Sequence, residues 1–168
     1  MTYEELSALL SYDPLTGIFK WKITVSGRAK AGSIAGSISK VSGYVEIRIR
    51  GKLYYGHHLA WFFVKRCWAK RLDHKNNKRS ENWINNLRLS NYAQNNQNTL
   101  IRKNNSSGYK GVSFCKIRNK WRATIYINSR QQIIGYSDDK KEAALMYDNK
   151  ALELHGDFAK TNKMMGLL

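Results

Sequence analysis

The sequence predicts an α+β protein of two small modules, each joining short antiparallel strands to a helix. Three observations predict it. Residues 44–50, YVEIRIR, alternate apolar and charged side chains over most of their length, the period-two signature of a half-buried strand. Further on, YKGVSF (109–114), KWRATIYI (120–127) and QQIIGY (131–136) are strand-length runs rich in Val, Ile, Tyr and Trp. Between these regions the run IRKNNSSG is polar, aperiodic and ends in glycine, which reads as a linker. The expected boundaries are 1–100, a linker at 101–107, and 108–163.

Each element has its own signal. Residues 3–10 form a short amphipathic helix, and Asp13-Pro14 with Thr16-Gly17 signals a turn into a strand at 18–21. Gly51-Lys52 closes a hairpin over 44–55. From His57 to Trp68 the period becomes helical, with Leu59, Phe62 and Phe63 on one side. Asn86-Leu87-Arg88-Leu89 reads as a strand that buries Leu87 and Leu89. Asn91 is placed to cap the next helix, with Gln94 at the third helical position. In the second module, turns are expected at Arg118-Asn119 and Asn128-Ser129. Ser137 or Asp138 can cap a helix over 139–155, which Gly156 ends. Ala143, Tyr147, Ala151 and Leu154 share its core face, and His155 reads as a cap.

Charge points to a polyanion. The chain carries 29 Lys+Arg against 12 Asp+Glu, a formal charge of +17, and the cations are segregated. No acid lies between Glu46 and Asp73, nor between Glu81 and Asp138. A nucleic acid is the expected partner. No basic amphipathic helix suggests a membrane surface, and no protein partner is evident. No apolar run approaches the ~18–20 residues of a membrane span, and MTYEELSALL is acidic rather than signal-like. Cys67 and Cys115 stand far apart without a CxxC partner, so they are expected as reduced thiols and no zinc is expected.

The chemistry concentrates in residues 72–98, LDHKNNKRSENWINNLRLSNYAQNNQN. Asp73-His74 is followed twelve residues on by Asn86-Leu87, then by an amide run in which Asn91, Asn95 and Asn98 have i, i+4, i+7 spacing. A carboxylate and an amide oxygen suit a hard divalent cation such as Mg²⁺ or Mn²⁺, and a neutral histidine can take a proton from water.

His57, Leu59 and Trp61, then Asp73-His74, Glu81-Asn82, Asn86-Leu87-Arg88, Gln94-Asn95 and Asn98, resemble the ββα-metal core of the phage and mobile-intron HNH nucleases. That resemblance implies one divalent cation on Asp73 and Asn95, His74 as general base, and Asn86 holding the loop that aims the imidazole. His57, Asn82 and Asn98 would support the site. The segment from Asp13 to Trp21 and the strand GYVEIRI look like the usual β-rich lead-in of these proteins.

Residues 107–162, with SGYKGVSF, KWRATI, IGYSD, EAALMYDNKALELHG and DFAKTN, look like the AP2 DNA-binding domain, a three-stranded antiparallel sheet with one helix. The likeness implies double-stranded DNA as the partner, with the sheet entering its major groove. Strand alternation sends Arg122, Thr124 and Tyr126 to DNA and Ala123, Ile125 and Ile127 to the helix. Trp121 can face either way, and Lys110, Lys116, Arg118 and Arg130 are phosphate candidates. The combination implies a phage-type HNH homing endonuclease, addressed by an AP2 module and acting in the host cytoplasm. The alternative is a non-catalytic DNA-binding regulator on a degenerate HNH scaffold.

Overall fold

A computed structural model describes residues 1–127 and 130–168; the turn expected at Asn128-Ser129 lies outside the described residues. Among the described residues the fold is mixed α+β, with four α-helices and four small antiparallel sheets. The chain divides into two compact units, Met1–Asn91 and Tyr92–Leu168. That division falls ahead of the polar run at 101–107.

The first unit opens with α1 (Tyr3–Leu9), whose Thr2 and Glu5 form a reciprocal capping box. β1 (Leu10–Tyr12) pairs with β2 (Phe19–Trp21) across the Asp13–Gly17 turn. β3 (Ser37–Ile38), β4 (Val45–Ile49) and β5 (Lys52–Tyr55) make a second sheet, in which Ile47 and Ile49 point inward while Arg48 stays outside. α2 (Gly56–Lys65) then ends on Arg66 in the left-handed region, earlier than the helical period alone suggests. β6 (Leu72–His74) pairs with β7 (Leu87–Leu89), which follows a 3₁₀ turn at Ile84–Asn86. One core gathers Leu6, Leu10, Phe19, Trp21, Ile47, Leu59, Phe62 and Leu87 from α1, β1, β2, β4, α2 and β7. Each large apolar side chain buried there contributes roughly 1.5–3 kcal/mol. Leu89 does not join it; at the end of a three-residue strand it is 57% exposed.

In the second unit α3 (Tyr92–Gln97) precedes the sheet β8 (Val112–Cys115), β9 (Lys120–Ile127) and β10 (Arg130–Ser137), ordered β10-β9-β8. β8 starts three residues later than the sequence suggests. The main chain of Tyr109 is bonded to the Ser107 hydroxyl and that of Lys110 to the Asn162 amide, so neither is available to a ladder. α4 (Lys140–His155) is capped by Asp139, which accepts from the Lys141 N–H. Ser137 and Asp138 are not the cap; the Ser137 hydroxyl is bonded to Glu142 and accepts from the Asp139 N–H. The small Ala143, Ala144 and Ala151 let α4 lie close on Val112, Ala123 and Ile125, while Leu154 faces outward. No helix among the described residues is long and apolar enough to cross a membrane.

Candidate functional site

All three residues of β6 are buried, an unusual position for an acid and a histidine. The antiparallel register sets Asp73 opposite Arg88, and the guanidinium meets the Asp73 Oδ2 through Nε at 2.8 Å and a terminal nitrogen at 2.7 Å. Arg88 is the polar partner that makes a buried carboxylate tenable. Sequence reading had given it no role; a strand register drawn from the two runs would have found it.

His74 sits at the mouth of a loop held from inside by two amides. Asn86 has no exposure; its Oδ1 accepts from the Asn76 N–H at 3.1 Å and its Nδ2 donates to the Glu81 carbonyl at 2.7 Å. Its own carbonyl accepts from the Lys75 N–H at 2.9 Å. One side chain thus ties both ends of the loop. Asn82, 1% exposed, sends its Nδ2 to the Ser80 carbonyl and sets its Oδ1 3.2 Å from His74 Nε2. An amide oxygen accepts, so the imidazole proton belongs on Nε2 and the basic lone pair on Nδ1. Burial pushes His74 below the ordinary histidine range and the Arg79 charge adds to this, while the Asn82 bond, Asp73 and Glu81 oppose it. The ring is neutral near pH 7.

The lead-in explains why Asn82 stays put. The Tyr12 hydroxyl donates to the Asn82 carbonyl at 2.8 Å, and the Ile84 N–H donates to Pro14 O at 3.0 Å. Gly17 has φ +75°, and a Cβ there would collide with the Asn82–Trp83 backbone. A Cβ on Gly56 would sit 2.8 Å from Asn82 Nδ2. The DPLTG turn and the start of α2 are therefore shaped around this amide.

His57 is a buttress. Its ring lies 5.2 Å from that of His74 in a T-shaped contact and 4.7 Å from Tyr44. Burial, then the His58 and His74 charges, push its pKa down to about 3, and its Nδ1 is buried without a partner. His58 beside it is half-buried, its ring 4.5 Å from that of His57. Tyr44, which sequence reading passed over, bridges His57, His74 and Tyr55. The first unit therefore brings together Asp73, His74, Asn82, Asn86 and His57.

Asn95 lies on α3 and Asn98 just past it, both in the second unit, with Asn98 buried. Among the described residues no three of His, Cys, Asp and Glu converge as metal ligands.

On the second unit's sheet, Ala123 and Ile125 are buried beneath α4, with Trp121 and Ile127 partly buried beside them. Trp121 packs edge-on against Phe114 at 5.1 Å. On the opposite face Arg122 reaches the Ser113 hydroxyl at 3.3 Å, and its buried Nε has no partner. Thr124 is covered by Gln131, whose amide donates to it at 3.2 Å, and Tyr126 is 63% exposed. Lys116, Arg118 and Arg130 are exposed, with Arg118 4.7 Å over the Tyr136 ring. Ile117 and Ile133 add exposed apolar surface that sequence reading did not single out. Lys110 is engaged differently. Its ammonium donates to the carbonyls of Gln97 and Thr99, both at 2.8 Å, capping the end of α3. Burial and the Lys160 charge bring its pKa down to about 8.

The fold and site describe a small, strongly basic α+β protein with a buried Asp-His pair. No family model and no solved structure matches the chain. It is 34% identical over 89 residues to Protein 3.8 of Escherichia phage T7, a match that spans 53% of this chain and 73% of that one. The chain belongs to the family of that phage protein.

Proposed function

We propose that this chain is a metal-dependent DNA endonuclease of the HNH type, with Asp73 and His74 of β6 at its centre and an AP2-like sheet that locates the sites. One observation carries the reading: a buried, neutral His74 with its proton fixed on Nε2 by Asn82, beside a buried carboxylate. Such an imidazole can take a proton from water through Nδ1 without first losing one itself. The T7 relative supports a phage origin and, with it, action in the host cytoplasm.

The donors fit a hard cation. Asp73 offers a carboxylate oxygen, and Asn95 is the second ligand that the HNH resemblance implies. Bound Mg²⁺ or Mn²⁺ would stabilise charge on the phosphate and the leaving oxygen. Phosphodiester cleavage needs little sequence information, so a separate sheet supplies the address: Lys116, Arg118 and Arg130 toward phosphates, Arg122, Thr124, Tyr126 and Trp121 toward the groove.

A second reading, a non-catalytic regulator, has one observation in its favour: Arg88 already neutralises Asp73. Supercoiled plasmid separates the two. The nuclease should relax or linearise it with Mg²⁺ or Mn²⁺ and stop in EDTA. Retention on DNA with no cleavage under any divalent cation supports the regulator.

A further inference from the structure

The first unit carries an aromatic cleft that neither the Asp-His site nor the β8–β10 sheet uses. It holds about 430 Å³ and is lined by Leu53, Tyr54, Tyr55, His58 and Trp68, with no acid among its walls. Trp68 and Tyr55 are 45% and 41% exposed, large values for aromatic rings that have a core beside them. Yet Trp68 is not loose. The ring stacks on Phe62 at 4.3 Å and 11°, and Tyr54 stands 6.0 Å away at 25°. An indole held by stacked neighbours and still 45% exposed is a stacking platform prepared in advance, with little rotamer freedom left to lose on binding.

Charge identifies the occupant. The cleft is built from the acid-free stretch between Glu46 and Asp73, which carries Arg48, Arg50, Lys52, Lys65, Arg66, Lys70 and Arg71. All seven are exposed, and Arg50 reaches Glu5 at 3.0 Å. Open aromatic rings among cations that track a backbone are the chemistry of single-strand binding, where each base offers a π-face and each phosphate a charge. Stacked duplex presents no such face. We propose that this cleft is a second nucleic-acid site, which takes an unstacked base of single-stranded DNA against Trp68 and Tyr55.

The proposal stands apart from the nuclease reading, because it concerns binding alone. The full-length chain is titrated, without divalent cation, against a labelled oligo-dT and an abasic strand of equal length and charge. The wild type should prefer the strand with bases by roughly tenfold or more. Trp68→Ala should erase most of that preference while keeping the abasic affinity, Tyr55→Leu should reduce it, and Trp68→Phe should restore part of it. Leu15→Ala, exposed and outside the cleft, is the control. Should Trp68→Ala lose its folded near-ultraviolet spectrum, Tyr55→Leu decides. Equal affinity of the wild type for both strands overturns the proposal. So does a preference untouched by both variants, or Trp68-dependent binding to phosphatidylglycerol vesicles with none to oligo-dT. Loss of plasmid cleavage with the base preference intact would count against the nuclease reading and leave this one standing.

Discussion

Both units use a buried asparagine as a clip, and the two clips end in different places. In the first unit Asn86 closes the 75–86 loop, and Asn82, inside that loop, ends on an imidazole. In the second unit Asn162 pairs with both main-chain groups of Lys110 and donates two bonds to the Asp148 carboxylate, which also accepts from the Lys163 N–H. That network ends on backbone, so its product is a fixed chain path. The comparison teaches that a buried amide is not by itself a sign of a site. What the amide finally orients, a titratable ring or a peptide group, decides whether it serves chemistry or architecture.

The sharpest way to break the contrast is to remove the group that one clip orients. His74→Ala should lower plasmid cleavage by ~10²–10⁴-fold, the usual contribution of a general base, with DNA affinity unchanged within a few-fold. Cleavage at the wild-type rate would remove His74 from the chemistry. Breaking the architectural clip should act on stability instead. Asn162→Ala leaves both main-chain groups of Lys110 without their side-chain partner and takes one of three donors from Asp148, and should cost about 2–4 kcal/mol in denaturant melts of the second unit. A stability unchanged by that substitution would mean the network is ornamental.

The units should also differ in their response to acid. His57 is held neutral with a pKa of about 3, against an unfolded value of ~6.5. Between those values the unfolded chain binds the extra proton, so stability falls as pH drops from ~6.5 toward 3 and is fully present above that window. His57→Phe should flatten this dependence of the melting temperature. An identical slope in wild type and variant would assign the acid sensitivity to another group.

The strands and the long helix were legible because their signals are local. Alternation in VEIRI and KWRATIYI, and the alanines of α4, each state their own face. The Asp73-His74 pair stood out for the same reason, and the structure buries both residues on β6. Arg88 was not, because its meaning lies in a cross-strand register that no single run displays. Nor was Lys110, since nothing in a basic run tells a lysine that reaches solvent from one that caps a helix. Leu89 and Leu154 were misjudged for a related reason: apolar spacing marks a face, but the end of a short element can run past the core it borders.

The smallest expected effect tests whether the second unit's cations divide as their geometry suggests. Lys116 is exposed in the turn between β8 and β9, whereas the Lys110 ammonium is committed to two carbonyls. A lysine that neutralises one phosphate releases about one counterion, so Lys116→Ala should weaken binding to all duplexes alike and flatten log K against log salt by about one unit. Lys110→Met should leave that slope unchanged and instead lower the stability of the second unit by ~1–3 kcal/mol, because two carbonyls lose their donor. Arg122→Ala, on the sheet face, should relax preference at one base position by ~1–3 kcal/mol if its guanidinium meets a base edge. Salt titrations of the three variants on one duplex, beside their melts, separate these effects. A salt slope that changes for Lys110→Met and not for Lys116→Ala would reverse the assignment and bring the end of α3 to the DNA.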